Sequence, residues 1–418
     1  AYRCKVGIIS SDFGGELDQL VAYLMAISRQ RRRYRDCSQQ DVRAALVELI
    51  AALPVYRTYF SAEEDGRAGE RQVATSGATD VATDVAAVDQ ALVAAERRRP
   101  DLDERVWALL RHALLERVGA DEVEFTMRFQ QLTTAAMAKG VEDTAFYVYN
   151  RLVSLNEVGG NPGRFGVSPE AFHRFCRHLQ QQWPETMLTT STHDTKRSED
   201  VRARISLLSE IPDRWRDAVR RWSQMTDPYR RDGMPERNTE YLLYQTLVGA
   251  WPISEERLQA YMLKAVREAK QHTSWKRPNE AYEKALSAWI QGLLGDEAFV
   301  ADLEAFVEPL LEPARVSSLA QVLVKYMAPG VPDLYQGSEL WDLSLVDPDN
   351  RRPVDYGRRR EMLEELDRLS IEEVWARIDE GFPKLLVIRR ALQVRRLHPC
   401  LLYTSDAADE EDSVDLGG

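Results

Sequence analysis

Leu17, Leu20, Val21, Leu24 and Ile27 recur three and four residues apart, and Val42, Ala45, Leu46, Leu49, Ile50 and Leu53 repeat the pattern. A backbone with 3.6 residues per turn gathers such positions on one face, so the spacing predicts two packed helices. Ser38 and Asp41 form a capping box that marks the start of the second. Between them lies "RQRRRYRD". A nucleic-acid contact is one reading of that run. Cations on the solvated last turn of a helix, facing the negative end of its dipole, fit an acidic chain better.

Helical spacing returns from about Ala86 to Lys139, whereas residues 61–84, with "ATDVATDVA", are small and acidic and read as a loop or linker. The stretch Gly140 to Gly166 mixes aromatics with glycines that allow close backbone approach. Ser168-Pro169 predicts a further helix start, with Phe172, Phe175, Cys176 and Leu179 buried and His173 and His178 outside.

At 418 residues the chain exceeds the usual limit for one core, so two or more lobes, or one large barrel with insertions, are expected. A formal net charge of −12 argues against nucleic acid or an anionic membrane as partner of the whole surface. Cys4, Cys37, Cys176 and Cys400 show no CxxC spacing. They fit a reducing compartment, here taken as the cytoplasm, and offer no metal framework. Nor do the six histidines have HExxH spacing, so neither metal nor cofactor is expected. No apolar run approaches the roughly 18 residues of a membrane span.

Residues 189 to 200, "TTSTHDTKRSED", crowd hydroxyls, a His–Asp pair, two cations and two acids together. "MLTTST" is a short β-prone run, and Ser198 with Glu199 and Asp200 caps the helix "VRARISLLSEI". His193 and Asp194 are thus expected on a strand-to-helix turn, which in a (β/α)₈ barrel is the catalytic face. A second unit of this kind follows, a helix through "VSSLAQVLVKYMA" and a strand in "PGVPDLYQGSEL" that ends in Asp333, Gln336 and Glu339. A polar turn alone explains a His–Asp dipeptide. A carboxylate beside an imidazole and a Lys–Arg pair at a strand end also suits the gripping of sugar hydroxyls and opposition to oxocarbenium charge.

"STHDTKRSEDVRARISLLSEIPDRW" closely resembles the maltooligosyltrehalose synthase family of the α-amylase superfamily. So do "LPVYRTYF", "FQQLTTAAMAKGVEDTAFYVYNRLVSLNEVGGNP", "REAKQHTSWKRPNEAYE" and "APGVPDLYQGSELWDLSLVDPDNRRPVDY", which together cover most of residues 5 to 399. The fold this implies is α/β: part of a (β/α)₈ TIM barrel with large, mainly helical insertions. A helical region over 1–165 and the last barrel strands over 166–399, with a helical insertion around 210–310, are expected. The implied activity is isomerisation of the reducing-end α-1,4 linkage of a maltooligosaccharide to α,α-1,1, with the product passing to a trehalose-releasing hydrolase. Of the superfamily's three carboxylates, the transition-state stabiliser and its histidine neighbour fall on Asp194 and His193. The nucleophile and acid/base are expected upstream of Ala1, so the chain reads as the C-terminal half of a longer enzyme, inactive alone. The tail 400–418 departs from the family and reads as disordered by composition.

The block match makes Lys196 and Arg197 substrate contacts or helix-approach cations. For Glu142, Asp143, Asn150, Arg151 and Asn156, structural hydrogen bonding and sugar contact stand level. Trp275 and Tyr282 are candidates for stacking on glucose faces, with core packing the plainer role. Two other functions remain open: an amylase-like hydrolase of the same fold, and a non-catalytic carbohydrate-binding or helical scaffold.

Overall fold

The apolar spacing of the first fifty residues becomes the helices Gly14–Gln30 and Gln39–Ala52, with every residue of both stripes buried. Ser38 Oγ accepts the N–H of Asp41 at 3.0 Å, the forward half of the expected box. The computed structural model describes residues 1–61 and 75–398, and for 75–80 the backbone alone. Residues 62–74 of the expected linker, Cys400 and the acidic tail lie outside the described residues. Two compact units divide the chain, Ala1–Val148 and Tyr149–Gly418.

In the first unit the helices Tyr2–Ser11, Thr75–Arg98, Glu104–Arg111 and Ala120–Met137 join those two around one apolar core. The helix Thr75–Arg98 corrects the expected linker, because "ATDVATDVA" is helical from its first residues. Val85, Val88, Ala91, Leu92 and Ala95 repeat at helical spacing into the core, and their burial extends a helix the small residues do not announce. Close backbone approach is real at Gly140, where a Cβ would sit 2.8 Å from Lys5 Cα. Lys5 itself is buried and donates to the carbonyl of Leu53 at 2.9 Å. Burial pushes its ammonium down to about 8.

The second unit is built on the helices Pro212–Thr226, Arg237–Ala250, Glu255–Ala269, Glu280–Leu294 and the long Glu297–Met327. Trp222 is fully buried among them, with Trp215, Tyr244, Phe299 and Phe306 set mostly edge-on around its ring. Ser168 caps the helix Pro169–Gln182 as expected, and His173 and His178 are exposed. Its stripe needs correction: only Leu179 is buried, while Phe175 is more than half exposed. No described element covers that ring.

Among the described residues, sheet is confined to two short parallel strands, β1 (Met187–Leu188) and β2 (Val331–Pro332), registered Met187 to Val331 and Leu188 to Pro332. Gly330 enters β2 at a φ of 122°, and a Cβ there would lie 2.8 Å from the carbonyl oxygen of Thr186. Only glycine lets the strands meet so closely. The described architecture is therefore mostly helical with little sheet, and β1 and β2 each lead into a polar turn.

Candidate functional site

The hydroxyl run after β1 closes a turn on itself. Thr192 Oγ accepts the N–H of Asp194 at 3.1 Å, while Thr195 Oγ donates to the carbonyl of Thr192 at 2.9 Å. Ser191 Oγ takes the N–H of Glu199 at 3.0 Å. Ser198 caps the helix Glu199–Ser206 and donates its hydroxyl to the carbonyl of Asp342 at 2.5 Å. Short polar side chains can satisfy the orphan N–H groups of a helix start in this way.

Two residues from elsewhere complete the clamp. Glu157, nearly buried, accepts the N–H of Lys196 at 2.7 Å and that of Arg197 at 3.2 Å. Asn350 donates its amide to the carbonyls of Thr192 at 3.3 Å and His193 at 3.0 Å. Neither was singled out from sequence. Glu157 lies in the "LNEVGG" part of a quoted block, and Asn350 follows "VDPD", so the blocks were the available signal.

Against this fixed backbone, the side chains of His193 and Asp194 stay 61% and 72% exposed, with Nε2 and Oδ2 3.6 Å apart. An exposed carboxylate beside an imidazole on a rigid turn can accept hydroxyl hydrogen bonds and oppose positive charge on a ligand.

Below the turn lies a buried ionic cluster. Lys384 Nζ is 2.8 Å from both Glu199 Oε1 and Asp200 Oδ2, and Lys325 Nζ is 3.7 Å from Glu199 Oε2. Burial opposes the charge of Glu199, but Lys384 and Lys325 outweigh it and hold the carboxyl at about 2. Lys384, though buried, is held above its ordinary range by Asp200 and Glu199. For Lys325, burial prevails over the nearby Glu199 and lowers it. Burial raises Asp342, with Asp200 adding to the rise. The acids of "THDTKRSED" thus divide: Asp194 faces out, while Glu199 and Asp200 tie the helix to Lys384.

The remaining expected site residues take varied places. Lys196 is buried, and Arg197, 1% exposed, donates its guanidinium to Tyr261 Oη at 2.6 Å and the carbonyl of Val153 at 3.4 Å. Asn156 is fully buried and donates to the carbonyl of Tyr149 at 2.7 Å. Asn150 is buried, and its carbonyl accepts Gln245 Nε2 at 2.8 Å. Arg151 is exposed, with its carbonyl accepting Tyr241 Oη at 3.3 Å. Glu142 and Asp143 belong to the first unit, where Glu142 accepts from Tyr56 Oη and Asp143 pairs with Lys139 at 2.6 Å. Trp275 is more than half exposed, its indole N–H on Glu268 at 3.0 Å, whereas Tyr282 is buried and stacked on His272. The structure therefore brings His193, Asp194, Lys196 and Arg197 together on one turn and gives the others separate surroundings. Among the described residues, no group of three or more His, Cys, Asp or Glu could hold a metal ion, and no helix is long and apolar enough to cross a membrane.

The exposed His–Asp pair follows the C-terminal end of a parallel strand, the place where open α/β sheets bind ligands. No protein-family model matches the chain. It is 46% identical over 283 residues, 66% of its own length and 34% of the relative's, to a Mycobacterium tuberculosis protein (strains CDC 1551 / Oshkosh and H37Rv) named "Putative maltooligosyl trehalose synthase". The structure of maltooligosyltrehalose synthase from Arthrobacter ramosus superposes with a TM-score of 0.77 at 38% identity, covering 95% of this chain and 47% of that one. A Sulfolobus tokodaii structure described as a hypothetical maltooligosyl trehalose synthase gives 0.74 at 30% identity, covering 96% and 48%. Over the portion it spans, the chain is a homologue of the maltooligosyltrehalose synthases, as its motif blocks implied. It spans about a third of the curated relatives' length and about half of the solved ones'.

Proposed function

We propose that this chain forms part of an intramolecular transglucosylase that converts the reducing-end α-1,4 linkage of a maltooligosaccharide into α,α-1,1. The observation that carries the reading is the exposed His193–Asp194 pair on a backbone clamped by Glu157 and Asn350, within a chain related to named synthases. Parallel β1 and β2, each leading into a polar turn, suit two adjacent strands of an amylase-type (β/α)₈ barrel, with the long helices as insertions.

The chemistry is a double displacement. A carboxylate attacks the anomeric carbon of the penultimate sugar, and the bond to the terminal glucose O4 breaks as an acid protonates that oxygen. The freed glucose turns, and its anomeric hydroxyl attacks the glycosyl-enzyme. A C1–O1 bond forms, the proton returns to the acid/base, and the carboxylate leaves. Asp194 opposes the oxocarbenium charge in both halves, and His193 holds a sugar hydroxyl. We assign the nucleophile and acid/base to the part of the synthase that this chain does not span, so the 418-residue chain is expected to be inactive by itself. Water must be excluded, because its attack on the intermediate gives hydrolysis. Arg197 and Asn156, both spent on internal partners, shape the turn and its floor. Lys196 and the outward Arg151 and Trp275 remain as substrate contacts, whereas Asn150 is buried on internal partners and Glu142 and Asp143 are engaged within the first unit. The setting proposed is the cytoplasm, with a trehalose-releasing hydrolase taking the product.

Maltopentaose tests the proposal. The complete enzyme carrying this segment should yield a product of unchanged mass without a reducing end. Release of glucose or maltose would assign the site to an amylase-like hydrolase instead.

A further inference from the structure

The peptide plane between His193 and Asp194 is held at both edges. Its carbonyl, that of His193, accepts Asn350 Nδ2 at 3.0 Å, and its N–H, that of Asp194, donates to Thr192 Oγ at 3.1 Å. The preceding plane is held as well, since Asn350 Nδ2 also reaches the carbonyl of Thr192 at 3.3 Å. One amide thus fixes two successive planes, and with them the direction in which the Asp194 carboxylate leaves the turn. Asn350 does this at a cost. It is 8% exposed, and its Oδ1 is buried without a hydrogen-bond partner among the described residues. Turning the amide over would aim Oδ1 at two carbonyl oxygens, so the turn demands the unpaired orientation. Such local costs gather where function fixes a geometry.

Asn350 is itself braced from two sides. Tyr335, just past β2, donates its hydroxyl to the carbonyl of Asn350 at 3.1 Å, and the carbonyl of Tyr335 takes the hydroxyl of the fully buried Ser338 at 2.7 Å. On the other side, Arg257 grips both carboxylate oxygens of Asp349 at 2.7 and 2.8 Å. We propose that Tyr335 is a positioning residue for Asp194, acting through Asn350, so that the turn after β2 sets the carboxylate after β1. The proposal rests on Asp194 opposing the oxocarbenium charge. The Tyr335 hydroxyl is engaged by a backbone carbonyl, and its effect reaches the substrate through the turn. Because Asp194 meets charge that develops in the transition state, slack in this relay lowers kcat and leaves KM nearly unchanged.

The test is a double-mutant cycle in the complete enzyme, read as turnover of maltopentaose. Tyr335→Phe should lower kcat severalfold at unchanged KM, the value of one hydrogen bond. Asn350→Asp, isosteric but facing two carbonyls without a donor, should lower kcat by up to about 10²-fold, as displacement of a catalytic group does. In an Asp194→Asn background neither change should lower kcat much further, because no charge is left to aim. If Asn350→Asp fails to fold, Tyr335→Phe still decides. Losses that multiply in the two backgrounds are what a merely structural role gives, and they would overturn the proposal. So would an unchanged kcat in Tyr335→Phe, or a raised KM alone, the mark of direct substrate contact. Hydrolysis of maltopentaose in place of isomerisation would overturn the proposed function only, since the cycle reads turnover of either kind.

Discussion

The carboxylate of Glu157 holds the backbone N–H of Lys196 at 2.7 Å, tying the turn that presents Asp194 to a residue nearly forty positions earlier. The second oxygen takes the N–H of Arg197 at 3.2 Å. Both bonds are charge-assisted and nearly buried, the setting in which such bonds contribute most. The turn is therefore fixed by a side chain that lies outside it in sequence.

Glu157→Gln should cost about 1.5–3 kcal/mol, since the amide keeps one acceptor but turns a donor toward a backbone N–H. Urea unfolding measures the loss. Amide hydrogen exchange should quicken at Lys196 and Arg197 before the rest of the helix Glu199–Ser206. Unchanged exchange there would mean that the Asn350 contacts suffice to hold the turn.

Lys384→Met is expected to be more damaging. Lys384 lies 2.8 Å from both Glu199 and Asp200, and its removal strands two buried carboxylates. Breaking such a cluster costs about 3–5 kcal/mol. Neutralising the partners as well, with Glu199→Gln and Asp200→Asn, should recover part of the loss. A double-mutant comparison by urea unfolding separates the stranded charge from lost packing.

How much of this was legible in advance depends on how local the physics is. The stripes at Leu17–Ile27 and Val42–Leu53, the caps at Ser38, Ser168 and Ser198, and the strand-to-helix turn at His193 are set by neighbours in sequence. The helix at Thr75 was hidden because its drive is burial of Val85 and Val88 in a core assembled from distant residues. Phe175 misled for the converse reason, since periodicity marks a face without saying what covers it. Glu157, Asn350 and Lys384 act on the turn across 39, 157 and 184 positions, and no spacing rule reaches so far.

Acid should weaken the fold through Glu199. Its folded value of about 2 lies below the ordinary 4.5, so its stabilisation is fully present above pH 4.5 and disappears as pH falls toward 2. The amount is about 3 kcal/mol. Glu199→Gln should flatten the stability curve within that window, as measured by urea midpoints at successive pH values.

Alkali should act oppositely through Lys5. Burial lowers it from 10.5 to about 8, so the unfolded chain binds more protons between those values and stability rises with pH across that window. Below pH 8 both states are protonated and the full burial cost is present. Lys5→Met should remove the rise, seen as thermal midpoints that no longer climb from pH 8 to 10.

Asp194→Asn in the complete enzyme separates a catalytic turn from a mere helix start. The two side chains are nearly isosteric, and capping at Ser198 and the Glu157 clamp do not involve the Asp194 carboxylate. The fold should therefore persist. The amide cannot oppose an oxocarbenium ion, and losing one preorganised electrostatic group costs about 10² to 10³ in kcat. His193→Ala should cost less, because a neutral hydrogen bond to a sugar hydroxyl contributes about 1 kcal/mol, or roughly fivefold to tenfold. A purely structural turn would reverse the pattern, with Asp194→Asn leaving kcat intact and lowering the melting temperature. Turnover of maltopentaose and a thermal scan of each variant distinguish the two, since the exposed side chains have little packing to lose and, if catalytic, a great deal of rate.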